Sequence, residues 1–191
     1  MNQIEKAVEI LKLGGVVAYP TETVYGIGAN IFDDLALRRV FEIKRRPLNK
    51  PISVAVSSFE MLETIAWVSR EERKIIRELL PGPVTVILPK KEIVSPLLTG
   101  GSEFLGIRFP ESRIAREIIK KAGFPITSTS ANFSGEKEIS EAENINLDVD
   151  FVVKGKCKYK KPSTVVDLVR KKILREGPEV EKVRRILKLF C

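Results

Sequence analysis

Ile4, Ala7, Val8 and Leu11 recur at helical spacing, and Gly14-Gly15 ends that helix. The apolar run at 16–19 reads as a buried strand, stopped by Pro20. Asp33 or Asp34 caps a second helix carrying Leu35, Val40 and Phe41, closed by Pro47. Residues 52–56 read as a strand. Ser69 and Glu72 form a capping box before a helix bearing Ile75, Ile76, Leu79 and Leu80, which Pro81-Gly82-Pro83 breaks. Residues 84–88 are β-branched and apolar enough for a strand, and 104–108 reads as another. Ser112 caps a helix with Ala115, Ile118, Ile119 and Ala122, ended by Gly123, and 126–129 forms a short strand before a polar loop. Further on, 151–153 and 165–168 read as strands, and 172–175 pairs with the latter through a short turn. Gly177-Pro178 starts a final helix with Val180, Val183, Ile186 and Leu187 on one face. Helices and strands that alternate and finish in a hairpin predict an α/β domain with a mixed sheet, one domain over 1–191.

Composition narrows the chemistry. The 191 residues are 43% apolar and 30% charged, enough for a core. With 33 basic and 25 acidic residues the formal charge is +8, which favours a polyanionic partner such as nucleotide phosphate or RNA. Histidine is absent, which excludes Ser-His-Asp and Cys-His catalysis and His-ligated metals. Cys157 and Cys191 form no CxxC pair, so they read as reduced thiols of a cytoplasmic protein; a disulfide would need the C-terminus to fold back. No signal peptide and no membrane span are expected.

The positive charge is concentrated. Segment 154–175 holds nine cations and one acid, Asp167, which accounts for the whole formal charge of +8. Lys154, Lys156, Lys158 and Lys160 alternate, which would set four ammonium groups along one face of an extended strand. That face either follows a phosphate backbone or guards a sheet edge. Lys44-Arg45-Arg46-Pro47-Leu48-Asn49-Lys50-Pro51 has four cations and no acid, and its two prolines hold those cations ready for phosphates. No P-loop is present, and the Gly26-Ile27-Gly28 start of a dinucleotide fingerprint fails at Ile31. Two hydroxyl-rich segments, 20–28 and 128–135, follow strand ends, where open α/β sheets usually bind ligands. A plain turn and a helix cap are their structural alternatives.

Together these segments resemble the YrdC-type threonylcarbamoyl-AMP synthase family. The resemblance rests on P-T-E-T-V-Y-G-I-G at 20–28, K-R-R-P-x-x-K-P at 44–51, P-G-P-V-T at 81–85 and G-I-R-F-P at 106–110. It continues with S-T-S-A-N-x-S-G at 128–135 and S-T-V-V-D-L with I-L-R-E-G over 163–177. It implies a twisted mixed sheet with flanking helices around a basic concave cavity, in the family's short single-domain form. The implied enzyme is a nucleotidyltransferase that joins ATP, L-threonine and bicarbonate into threonylcarbamoyl-AMP and releases pyrophosphate. A partner threonylcarbamoyl transferase would then modify the tRNA adenosine beside the anticodon. By similarity, Lys44, Arg46 and Lys50 form the catalytic phosphate group, and Arg46, Lys50, Asn132, Ser140 and Arg175 bind ATP. Thr23, Arg108 and Ser130 hold threonine, and Mg²⁺ comes with ATP, held mainly by its phosphates. Ala55 stands where some members carry a threonine-touching histidine, and Phe104 where others offer ATP a hydroxyl. The alternative is an RNA-binding protein of the same fold, on tRNA or double-stranded RNA, without synthase activity. Loop 134–148 is expected to be a mobile flap over the nucleotide.

Overall fold

The computed structural model describes residues 1–190. The chain begins with α1 (Gln3–Lys12), β1 (Val17–Pro20), β2 (Tyr25–Gly28), α2 (Asp34–Ile43), β3 (Val54–Ala55) and α3 (Phe59–Ile65). It continues through α4 (Arg70–Leu79), β4 (Val84–Pro89), α5 (Pro96–Thr99), β5 (Phe104–Arg108), α6 (Arg113–Ala122), β6 (Ile126–Thr127) and β7 (Thr129–Ser130). A 3₁₀ turn (Ala142–Asn144), β8 (Phe151–Val152), β9 (Thr164–Asp167), β10 (Lys172–Arg175) and α7 (Val180–Leu189) complete it. Among these residues no helix is long and apolar enough to cross a membrane.

The architecture is mixed α/β, but the strands divide into two sheets. One runs β7-β2-β1-β8 and the other β10-β9-β4-β5-β3-β6. Both are mixed: β4 pairs antiparallel with β5 and parallel with β9, and β1 pairs antiparallel with β2 and parallel with β8. The expected strand at 126–129 breaks at Ser128, so β6 belongs to one sheet and β7 to the other. Thr127 joins the sheets: its N–H donates to Ala29 O, its hydroxyl donates to Ile27 O, and that hydroxyl accepts the Ala29 N–H.

The caps form where the sequence places them. Ser69 and Glu72 make the capping box of α4, and Asp33 accepts two N–H groups at the start of α2. Other expectations change. Leu35 is 80% exposed, and Leu37, two residues on and on the opposite face of the helix, is the one in the core. Helix α2 stops at Ile43, well before Pro47, in a Schellman closure: Arg46 N–H bonds Phe41 O and Arg45 N–H bonds Glu42 O, with Arg45 at φ 50°. Half of the expected 20–28 loop is strand β2, because Gly26 and Gly28 lie against the Tyr19 ring, where any Cβ would sit 3.1–3.3 Å from ring carbons. The alternating lysines are all exposed, but their segment forms no strand. Gly155 presses on Pro20, Cys157 turns inward and Lys160 adopts φ 51°, which bends the run away from a ladder. Cys157 is buried, with its thiol pushed up to about 11 by that burial, and Cys191 lies outside the described residues.

Candidate functional site

A cavity of about 170 Å³ opens where the two sheets meet. The four-stranded sheet contributes Thr23 and Val24 from the β1–β2 connection and Ser130 from β7. The six-stranded sheet contributes Thr85 from β4, Arg108 from β5 and Arg175 from β10. Arg46, Ser53, Ser128, Thr129, Ser163 and Glu138 complete the polar lining, so three guanidinium groups face one carboxylate.

Each cation is anchored before any ligand arrives. Arg46 Nη2 donates to Pro51 O at 2.8 Å and Nε to Lys50 O at 3.3 Å, and partial burial lowers its pKa. Arg175 Nε donates to Ser163 O at 2.9 Å and Nη2 to Ser163 Oγ at 3.1 Å. Burial first, and the Arg108 charge second, lower the Arg175 pKa. Ser163 Oγ is also hydrogen-bonded to Thr85 Oγ1 at 2.7 Å, so Thr85 of β4, Ser163 just before β9 and Arg175 of β10 form one bonded chain. Arg108 is 5% exposed, and its Nη2 donates to Glu22 Oε1 at 2.5 Å and Thr23 Oγ1 at 2.9 Å. Such preset cations suit an anionic ligand, because little side-chain order remains to be imposed on binding.

Three buried polar atoms make no hydrogen bond of good geometry among the described residues: Arg108 Nε, Ser128 Oγ and Asn132 Oδ1. Buried polar groups normally find partners, so orphans beside a polar cavity mark ligand-binding capacity.

The expected site residues fall into two groups. Thr23, Arg46, Arg108, Ser130 and Arg175 line the cavity together. Lys44, Lys50, Asn132 and Ser140 are not in its lining. Lys44 is 1% exposed, and its Nζ donates to Ser130 O and to Asn132 O, the latter at 2.6 Å. Its ammonium therefore fixes the β7 turn that presents Ser130, and burial pulls its pKa down to about 8. Lys50 is exposed beside the lining Pro51. Asn132 Nδ2 donates to Phe133 O and Glu136 O, which folds the start of the 134–148 segment. Ser140 follows Ile139, whose carbonyl accepts the Tyr25 N–H at 2.8 Å. Ala55 is fully buried in the core beside Tyr19 and Ile126, opposite Arg108 in the β3–β5 register. Phe104 lines an adjoining cavity of about 410 Å³ with Ile87, Leu174 and Arg170, whose guanidinium stands 5.1 Å from its ring. Sequence reasoning named neither Glu22 nor Ser128, Ser163 or Glu138 as a site residue; the signal for the serines is a hydroxyl adjoining a strand.

Preset arginines and hydroxyls lining one cavity on a two-sheet α/β frame suit a small anionic ligand. The chain belongs to the Sua5/YciO/YrdC family, described as telomere recombination, whose model matches residues 9–177. The Pyrococcus abyssi threonylcarbamoyl-AMP synthase is 37% identical over 193 residues, taking in 95% of this chain and 57% of its own length. The crystal structure of P. abyssi Sua5 complexed with L-threonine superimposes with a TM-score of 0.88 at 36% identity, over 94% of this chain and 56% of that one. E. coli YciO superimposes with a TM-score of 0.84 at 31% identity, over 92% and 89% of the two chains.

Proposed function

We propose that this chain is an L-threonylcarbamoyladenylate synthase, a nucleotidyltransferase using ATP, L-threonine and bicarbonate. The observation that carries the reading is the convergence of Arg46, Arg108 and Arg175 with Thr23, Ser128 and Ser130 on one small cavity. An amino acid needs a carboxylate anchor and hydroxyl partners, which Arg108, Thr23 and Ser130 supply. Carboxylation of the threonine amine gives a carbamate, whose oxygen attacks the α-phosphorus of ATP as pyrophosphate leaves. The carbamate is its own nucleophile, so a histidine-free site suffices. Arg46 and Arg175 neutralise charge as it builds on the α-phosphate and the leaving pyrophosphate. The adjoining cavity, floored by Phe104, Ile87 and Leu174, is apolar enough for the nucleoside. ATP enters as its Mg²⁺ complex, and Glu138 is the one carboxylate of the cavity lining placed to meet that ion. The product then passes to a tRNA-modifying threonylcarbamoyl transferase in the cytoplasm.

The test is pyrophosphate release from MgATP and bicarbonate, with and without L-threonine. Threonine-dependent release that Arg46→Ala reduces by at least about a hundredfold supports the reading. ATP binding without threonine-dependent release overturns it.

A further inference from the structure

Glu22 is 4% exposed and uses both carboxylate oxygens. Oε1 accepts from Arg108 Nη2 at 2.5 Å, and Oε2 accepts the Ser112 backbone N–H at 3.1 Å. Ser112 is the N-cap of α6, so the carboxylate accepts a backbone N–H at the start of that helix. The segment around it is also tied down. Ser112 Oγ donates to Pro20 O at 3.1 Å, and Tyr159 N–H donates to Glu22 O at 2.8 Å.

The same Arg108 Nη2 also donates to Thr23 Oγ1. Thr21 Oγ1 donates to Val24 O at 2.7 Å, so the proton shared by Thr21 and Thr23 belongs to Thr23. The Thr23 oxygen is thereby turned as an acceptor towards Arg108. Among the described residues, Glu22 and Thr23 are the only acceptors on the Arg108 side chain, because its buried Nε has none. Of these two acceptors only Glu22 is charged. It also offsets one positive charge where Arg46, Arg108 and Arg175 line a single cavity.

We propose that Glu22 is the positioning residue for the substrate carboxylate: by holding Nη2 it fixes the cavity-lining guanidinium of Arg108 in one orientation. The inference rests on the threonine reading above and adds the residue that makes its carboxylate selectivity. Without Glu22, Arg108 keeps its charge but loses the partner that aims it.

Calorimetric titration of wild type, Glu22→Gln and Glu22→Asp with L-threonine and with L-threoninamide tests this. Wild type is expected to prefer the acid. Glu22→Gln is expected to weaken L-threonine about tenfold, the size of one charge-assisted hydrogen bond, and L-threoninamide less than about twofold. In turnover, KM for threonine rises while KM for ATP holds. Glu22→Asp keeps the charge one methylene short and carries the same comparison if Glu22→Gln does not fold. An acid-to-amide ratio equal to wild type in the folded variant overturns the inference and leaves the threonine reading standing. Wild type that binds no L-threonine overturns both.

Discussion

Lys44 shows how much a residue's surroundings add to what its type suggests. In the sequence it heads a run of cations bounded by prolines, which reads as a phosphate site; in the fold its ammonium is buried against Ser130 O and Asn132 O. A lysine and a strand-end carbonyl far apart in sequence give no local signal of that pairing. Burial holds its pKa at about 8, below the ordinary 10.5 that the unfolded chain retains. The folded state therefore loses this proton first. The penalty for burying the charge is fully present below pH 8 and is relieved as pH rises towards 10.5. Relative to Lys44→Met, wild type is expected to gain up to about 3 kcal/mol across that window, measured by denaturant unfolding at each pH. A pH-independent difference would count against it. Ser128 invites the opposite experiment. Its buried hydroxyl makes no hydrogen bond of good geometry, having only the neighbouring Tyr19 phenol, and such a group costs up to about 1–3 kcal/mol. Ser128→Ala is expected to leave thermal stability unchanged or raised while weakening L-threonine, a separation that unfolding scans and calorimetry on the same sample resolve.

At the scale of elements, the legible ones carry their own boundaries. Helix α6 has Ser112 before it and Gly123 after it, and β5 carries apolar Phe104, Leu105 and Ile107 in a short run, so both fall where expected. Helix α3 was not legible because seven residues make only about two turns, too short for a helical repeat to stand out, and its Ser58 cap lacks a capping-box partner. Strand β2 was hidden by a tertiary cause: Gly26 and Gly28 look like loop residues until the Tyr19 ring is laid across them. Tyr19 in turn is locked by its hydroxyl donating to Thr127 O at 3.0 Å, the residue that joins the sheets. Gly28→Ala would put a Cβ 3.0 Å from Ile126 Cδ1 and 3.1 Å from Tyr19 Cε1. It is expected to cost about 1–3 kcal/mol of stability in urea unfolding, the usual price of overpacking. A cost below a few tenths would mean that the β1–β2–β6 contact relaxes freely. The 134–148 segment, expected as a flap on composition, is tied through Ile139 O to Tyr25 N–H and through Glu141 to Lys160 at 2.7 Å. It therefore also has the anchors of a strap.

For the whole molecule, the division into two sheets matters because the cavity belongs to neither. Thr23 and Ser130 come from one sheet, and Thr85, Arg108 and Arg175 from the other. The chain crosses from one to the other at Ser128, and Thr127 beside it hydrogen-bonds Ile27 and Ala29 of the opposite sheet's strand and its continuation. The lysine ridge at 154–160, source of much of the +8 charge, is partly neutralised by Glu111 and Glu141 and does not enter the cavity lining. The positive charge lining the cavity thus comes from three anchored arginines rather than from the lysine ridge that dominates the net charge. A ligand spanning both sheets acts as a cross-link that only the folded state can bind. At a hundred times its dissociation constant, such a ligand adds about 2.7 kcal/mol, which for a chain of this size raises Tm by about 5–10 °C. MgATP with L-threonine is expected to give that shift in wild type. Arg108→Ala should lose the part due to threonine and keep the part due to ATP, because Arg46 and Arg175 are anchored independently of it through Pro51 and Ser163. Loss of both parts together in a variant with native circular dichroism would mean that the two ligands share one anchor, and that the sheets close on them as a unit.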